Sequence, residues 1–272
     1  MAKGLPCYLV YCYFMFDKVI FMMRKCFSTA VCCFIFLGDA QASEMTKDGE
    51  PFSFLTSGQL PDSLSILPSP PRNDSVAFLL DKAAYEQGRS QAGSDRWLQA
   101  INDANLSDEN IGKPFSQALG VDISEDKTPA TYTLLKKIRT DAGRFATASA
   151  KRYYMRPRPF MFFNTHTCTP QDEGKLRMNG SYPSGHTTLG WTMALALAEI
   201  RPERQNKLLQ RGYEYGQSRV ICGAHWQSDV DAGRILGAAV FARLHADEQF
   251  VAALNKAKKE IHNQAGHLQG TE

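Results

Sequence analysis

The chain has 272 residues, 31 of them basic and 28 acidic, for a net charge of +3. That length accommodates one generous domain or two small ones with a sizeable buried core. The near balance of charge excludes the polycationic surface with which a duplex-binding protein neutralises several phosphates, so no nucleic-acid partner is expected.

Residues 1–42 differ from the rest. Met22, Met23, Arg24 and Lys25 precede the apolar run CFSTAVCCFIFLG, Cys26 to Gly38, and Ala40 and Ala42 form a small-x-small pattern. This order predicts a secretory signal peptide cleaved after Ala42. A run of thirteen residues is short of the ~20 that a spanning helix needs. Residues 1–21 carry a second apolar stretch, YLVYCYFMF, and read either as part of the leader or as lying upstream of a start at Met22 or Met23. Five of the seven cysteines fall in the leader, which leaves Cys168 and Cys222. In an exported chain two cysteines read as one disulfide, worth ~4 kcal/mol by loop-closure entropy, or as two separate buried thiols.

From Ser43 to about Asn73 the chain is rich in Pro, Ser and Gly, centred on LPDSLSILPSPPRND, and an extended, mobile arm is expected. Helical signals then dominate. Asn73, Asp74 and Ser75 are N-cap candidates for a helix through Tyr85. Thr128 and Pro129 open a helical stretch that meets no breaker except Gly143 before Pro157. HTTLGWTMALALAEI reads as a buried helix, and PERQNKLLQRGYEYGQSRVI and SDVDAGRILGAAVFARLHA as amphipathic ones. DEQFVAALNKAKKEIHNQ closes the chain as a helix with basic residues toward its favourable C-terminal end. No strand alternation and no internal repeat is found. The expectation is an all-α protein: a single compact helical domain over residues 74–272, preceded by the extended Pro-rich arm of residues 43–73.

Three stretches carry chemistry. In KRYYMRPRP, Lys151 and Arg158 lie seven apart, about two helical turns, and share a face if the helix persists to the prolines. In GSYPSGHTTLGW, Pro183, Ser184 and Gly185 precede the buried helix, where free backbone N–H groups form an anion site. In SRVICGAHWQSD, Arg219 is a fixed cation, and His225 and Asp229 lie four apart, so the carboxylate can orient the imidazole. Taken singly, each has an ordinary structural reading: a solvated basic helix end, a cap, a core histidine. Together, three cations and a set of donors converge on something with several negative oxygens. The two histidines, His186 and His225, can then divide attack on phosphorus from protonation of the leaving oxygen. Arg219 and His225 would be splayed by ~120° on an unbroken helix, so a turn is expected at Gly223 and Ala224.

The ordered set Lys151-x6-Arg158-Pro159, Pro183-Ser184-Gly185-His186 and Ser218-Arg219-x5-His225-x3-Asp229 resembles the signature of the phosphatidic-acid-phosphatase type 2 and vanadium haloperoxidase superfamily. GSYPSGHT, the LPSPP arm and SRVICGAHWQSDVDAGR resemble, more narrowly, the bacterial class A non-specific acid phosphatases, over essentially the whole chain after residue 42. The resemblance implies that Lys151, Arg158, Ser184, Gly185 and Arg219 bind the phosphoryl group. It implies that His225 forms a phosphohistidine, Asp229 orients it and His186 protonates the leaving group, with no metal or other cofactor. Broad phosphomonoester substrates, transfer to other alcohols, a periplasmic location, a homodimer and inhibition by vanadate are implied likewise. The alternatives within this chemistry are a nucleoside di- or triphosphate or pyrophosphate hydrolase and a vanadate-dependent haloperoxidase. A phosphate-binding protein without turnover leaves His225 and Asp229 without a role, and a membrane lipid phosphatase needs several apolar spans that the chain after residue 42 lacks.

Among the remaining residues, Tyr182 is expected to touch substrate and His166 to lie in a surface loop. His245, His262 and His267 are expected to be solvated, and Trp191 and Trp226 to anchor the core. A neutral nucleophile and a protonated acid predict an activity maximum in pH.

Overall fold

The computed structural model describes residues 52–269, with side chains through residue 264. The leader and the first part of the arm lie outside these residues, and the His267 side chain lies outside the side chains described. Every regular element among the described residues is helical. These are α1 (Val76–Arg89), α2 (Asp95–Ala104), α3 (Lys113–Leu119), α4 (Pro129–Ile138), α5 (Ala148–Tyr154), α6 (Gly185–Ile200), α7 (Gln205–Ile221), α8 (Gln227–Leu244) and α9 (Glu248–Gln269), with short helical turns between them. None of the described helices is long and apolar enough to cross a membrane.

The core is organised around α6, whose sequence is apolar on nearly every side, the pattern of a fully buried helix. Leu189, Met193, Ala194, Ala196 and Leu197 are almost wholly buried. Its threonines fold their hydroxyls back: Thr188 and Thr192 donate to the carbonyls of Ser184 and Thr188 at 2.9 and 2.8 Å, so buried oxygen is satisfied inside the helix. Helices α7 and α8 pack along α6. Leu134, Leu135 and Ile138 of α4 and Phe250 and Leu254 of α9 belong to the same core, where each large side chain contributes about 2 kcal/mol of apolar burial. Glu260 of α9 caps α4, accepting the N–H groups of Ala130 and Thr131 at 2.9 and 2.8 Å.

The arm, where described, packs its leucines into the core, and two expectations are corrected. Leu55, Leu60 and Leu67 are buried, Asp62 caps a helical turn at Ser63–Ile66, and the Tyr182 hydroxyl donates to the Pro68 carbonyl at 2.6 Å. The stretch from Thr128 to Pro157 is not one helix: residues Arg139–Phe145 widen into π-type hydrogen bonding, and α5 ends at Met155 with φ 39°. The division goes with a long-range contact: Asp141 in this segment turns its carboxylate to the N–H groups of Phe54 and Leu55 at 3.0 and 3.1 Å. Finally, α2 and α3 were not expected. They are short, capped by Ser94 and ended by Gly120 in the left-handed region (φ 76°), and α2 delivers the Ala104 carbonyl to His186.

Candidate active site

Four segments meet at one place: the end of α5 with the chain after it, the start of α6, the end of α7 and the start of α8. Lys151 lies in the last turns of α5, but the helix does not carry on to Arg158. After the left-handed Met155 the chain runs extended through Arg156-Pro157-Arg158-Pro159, as residues preceding proline must. Arg156 and Arg158 both come from this extended run and reach Asp229 and His225 respectively, so these two, rather than a two-turn helix face, set the geometry.

Arg158 is 2 % exposed and spans the site. Its Nε donates to the Leu176 and Asn179 carbonyls at 2.9 and 3.2 Å, and its Nη1 to the Ala224 carbonyl at 3.0 Å and to His225 Nε2 at 2.8 Å. Lys151 is also buried, with Nζ donating to the Gly180 carbonyl at 2.7 Å.

Ser184 is the N-cap of α6. Its Oγ accepts from the N–H and the hydroxyl of Thr187 at 3.3 and 3.0 Å, which leaves its own proton to donate. A Cβ on Gly185 would stand 2.8 Å from the Gly143 carbonyl oxygen, so the widened turn after α4 presses the start of α6 into place and only glycine fits. Gly185 and His186 are the half-buried members of an otherwise buried set.

The expected break falls where the spacing of Arg219 and His225 requires it. Helix α7 ends at Ile221, Gly223 takes φ 76°, and the N–H groups of Ala224 and His225 both reach back to the Arg219 carbonyl, at 3.0 and 3.2 Å. Helix α8 then begins at Gln227, with Asp229 accepting the Trp226 N–H at 2.9 Å. Cys168 and Cys222 are bonded to each other, which ties the turn to the loop before the second motif.

The hydrogen bonds assign the histidine tautomer. Arginine has no acceptor, so His225 Nε2 must present its lone pair to Arg158, and the ring proton sits on Nδ1. Nδ1 faces Asp229 Oδ2 at 3.3 Å. Burial, reinforced by Arg158, Lys151 and Arg219, holds the His225 imidazole well below its ordinary pKa, so it is neutral in the resting site. His186, whose Nε2 meets the Ala104 carbonyl at 3.1 Å, is lowered too, by burial and then by Arg219. Burial, with Arg158 adding to it, likewise lowers Lys151; burial pushes Arg158 down to about 10. Arg219 is 1 % exposed, and among the described residues its Nε and Nη1 have no hydrogen-bond partner.

The structure thus brings Lys151, Arg158, Ser184, Gly185, His186, Arg219, His225 and Asp229 to one site. Tyr182, expected to touch substrate, is 2 % exposed, packed edge-on against Tyr154, with its hydroxyl donating to the Pro68 carbonyl. His166 lies on the surface near Glu173, and His262 is exposed. His245 is exposed as expected, beside Phe241 and Phe250, with Nε2 2.8 Å from Glu199. Trp226 is 1 % exposed and anchors an aromatic cluster with Phe78 and Tyr85; Trp191 is only half-buried. Sequence reading missed Ser181, whose hydroxyl donates to Asp229 Oδ2, and Arg156, which donates to Asp229 Oδ1 at 2.6 Å.

The family model described as the PAP2 superfamily matches residues 140–251, which span all three motifs. The chain is 55% identical over 197 residues to the non-specific acid phosphatase of Salmonella typhimurium, covering 72% of this chain and 79% of that one. It is 50% identical to the non-specific acid phosphatase of Providencia stuartii, over 76% and 84% of the two chains. It is 39% identical to an acid phosphatase of Zymomonas mobilis, over 74% and 75%. Fold, site and matches together define a member of the PAP2 superfamily. Within that superfamily the chain belongs to the bacterial class A non-specific acid phosphatases.

Proposed function

We propose that the protein hydrolyses a broad range of phosphate monoesters through a phosphohistidine on His225, without a metal, in the periplasm. The observation that carries this reading is the buried guanidinium of Arg219, whose Nε and Nη1 have no hydrogen-bond partner among the described residues and which lies with two further buried cations, Lys151 and Arg158. Burying a cation with unsatisfied donors is costly, and a phosphoryl dianion offsets that cost in the place where catalysis needs it.

Lys151, Arg158 and Arg219, with the Ser184 hydroxyl and the Gly185 N–H, bind the phosphoryl oxygens. Their attraction draws Arg158 Nη1 from His225 Nε2, whose lone pair then attacks phosphorus as the ester P–O bond breaks. His186 gives its proton to the departing oxygen. The cations that depress His186 in the resting site are the ones that substrate neutralises, so binding raises its pKa toward the protonated form the step requires. In the second half, neutral His186 takes a proton from water as the water oxygen attacks phosphorus and the P–N bond breaks. An alcohol in place of water gives phosphotransfer.

Export through a leader removed after Ala42, the division into an arm over 43–73 and a domain over 74–272, assembly as a homodimer and inhibition by vanadate belong to the same proposal; family resemblance supports them. Phosphate release from monoesters, nucleoside di- and triphosphates and pyrophosphate, between about pH 4 and 8, tests the reading. Expected are broad monoester turnover with an acidic maximum, no loss with a chelator, and vanadate inhibition without bromide peroxidation. Chelator-sensitive turnover, or pyrophosphate as the sole good substrate, would contradict it.

A further inference from the structure

Behind Asp229 stands a second carboxylate that lies outside the phosphate-binding set. Arg156 bridges the two: Nη1 donates to Asp229 Oδ1 at 2.6 Å and Nη2 to Asp81 Oδ2 at 2.8 Å. Arg156, Asp81 and Asp229 are 8 %, 2 % and 0 % exposed, and the guanidinium is covered by the rings of Trp226 and Phe78. Asp81, on α1, also accepts the Ser228 N–H and hydroxyl at 2.8 and 2.6 Å, so it grips the first turn of the helix that carries Asp229.

We propose that Arg156 and Asp81 are positioning residues for phosphoryl transfer to His225. Arg156 holds Asp229 so that Oδ2 faces Nδ1, and Asp81 offsets the guanidinium so that the row behind the imidazole keeps a net charge of minus one. The inference rests on the reading of His225 as nucleophile. When Nε2 bonds phosphorus while Nδ1 stays protonated, the ring becomes cationic. A neutral Asp229–Arg156 pair would stabilise that cation poorly, whereas the row Asp81–Arg156–Asp229 stabilises it. The other charged or titratable groups acting on His225 are Arg158, Lys151 and Arg219, together with His186.

Asp81→Asn tests this, because it preserves shape and removes one negative charge. With less stabilisation of its imidazolium, His225 loses its proton at lower pH. The acid limb of kcat/KM therefore moves downward, while kcat for p-nitrophenyl phosphate falls about 10-fold or more and KM stays within about 3-fold. Phosphoenzyme formation, followed by rapid mixing and alkaline quench, slows by the same factor as kcat. If Asp81→Asn does not fold, Arg156→Lys is the second variant: it keeps the charge but not the two-carboxylate fork, and kcat falls while the limb stays in place. A folded Asp81→Asn with unchanged kcat, limb and phosphoenzyme rate, or an Arg156→Lys enzyme with wild-type kcat, overturns the inference alone. Wild-type enzyme phosphorylated somewhere other than His225 overturns this inference and the nucleophile reading together.

Discussion

Arg158 Nη1 and His225 Nε2 lie 2.8 Å apart, and of the two only the histidine can accept. One contact thus fixes the tautomer, keeps the ring neutral and holds a phosphate-binding cation against the attacking atom. Replacing Arg158 with Met removes a neighbouring positive charge, so the His225 pKa rises and the acid limb of kcat/KM moves to higher pH. The lost oxyanion contact lowers kcat/KM by about 100-fold or more. Steady-state kinetics across pH check both.

Arg219 sets function against stability. Its guanidinium is buried with Nε and Nη1 unpartnered among the described residues, so Arg219→Met, of similar length and uncharged, leaves folding unchanged or improves it by about 1–4 kcal/mol while removing activity. Thermal melts check the sign. Phosphate or vanadate raises the melting temperature of the wild type, as any ligand selective for the native state does, and raises that of Arg219→Met less at the same concentration.

The seat of α6 depends on Gly185. A methyl there meets the Gly143 carbonyl at 2.8 Å, and backbone cannot yield as a side chain tip does. Gly185→Ala is expected to cost about 1–3 kcal/mol and to shift the donors at the helix start. The drop in kcat/KM exceeds any change from Gly174→Ala, where a Cβ meets nothing.

Asp141 makes the fold favour acid. Burial pushes its pKa up to about 6, above the ordinary carboxylate value, although the N–H groups of Phe54 and Leu55 pull the other way. The folded state holds this proton more tightly than the unfolded chain. Stability from this group is therefore full at pH below the unfolded value and is lost as pH rises through about 6, a swing on the order of 3 kcal/mol. Denaturant unfolding at a series of pH values measures the swing, and Asp141→Asn, which does not titrate, flattens that part of the profile.

The motifs were legible because each is local. Ser184 caps a helix whose apolar run is unmistakable, and the six-residue gap between Arg219 and His225, with Gly223 inside it, demands a turn. What the sequence hid depends on closures over long separations. Asp81 reaches Arg156 across 75 residues and Ser228 across 147, and no spacing rule pairs them. Tyr182 adjoins the anion loop in sequence, yet its ring turns inward to the Pro68 carbonyl. Helices α2 and α3 are too short for periodicity to outweigh their polar residues, and the divided stretch from Thr128 to Tyr154 goes with what Asp141 binds, which lies 86 and 87 residues away.

The central claim is that His225 takes the phosphoryl group. Wild-type enzyme and the His186→Ala and His225→Ala variants are mixed with radiolabelled p-nitrophenyl phosphate, quenched in alkali, digested and mapped by mass spectrometry. The predicted result is phosphate on His225 in the wild type. It persists in His186→Ala, because this leaving group needs no proton, and neither label nor turnover remains in His225→Ala. Phosphate on Ser184, or a His225→Ala variant that still turns over, would contradict the account.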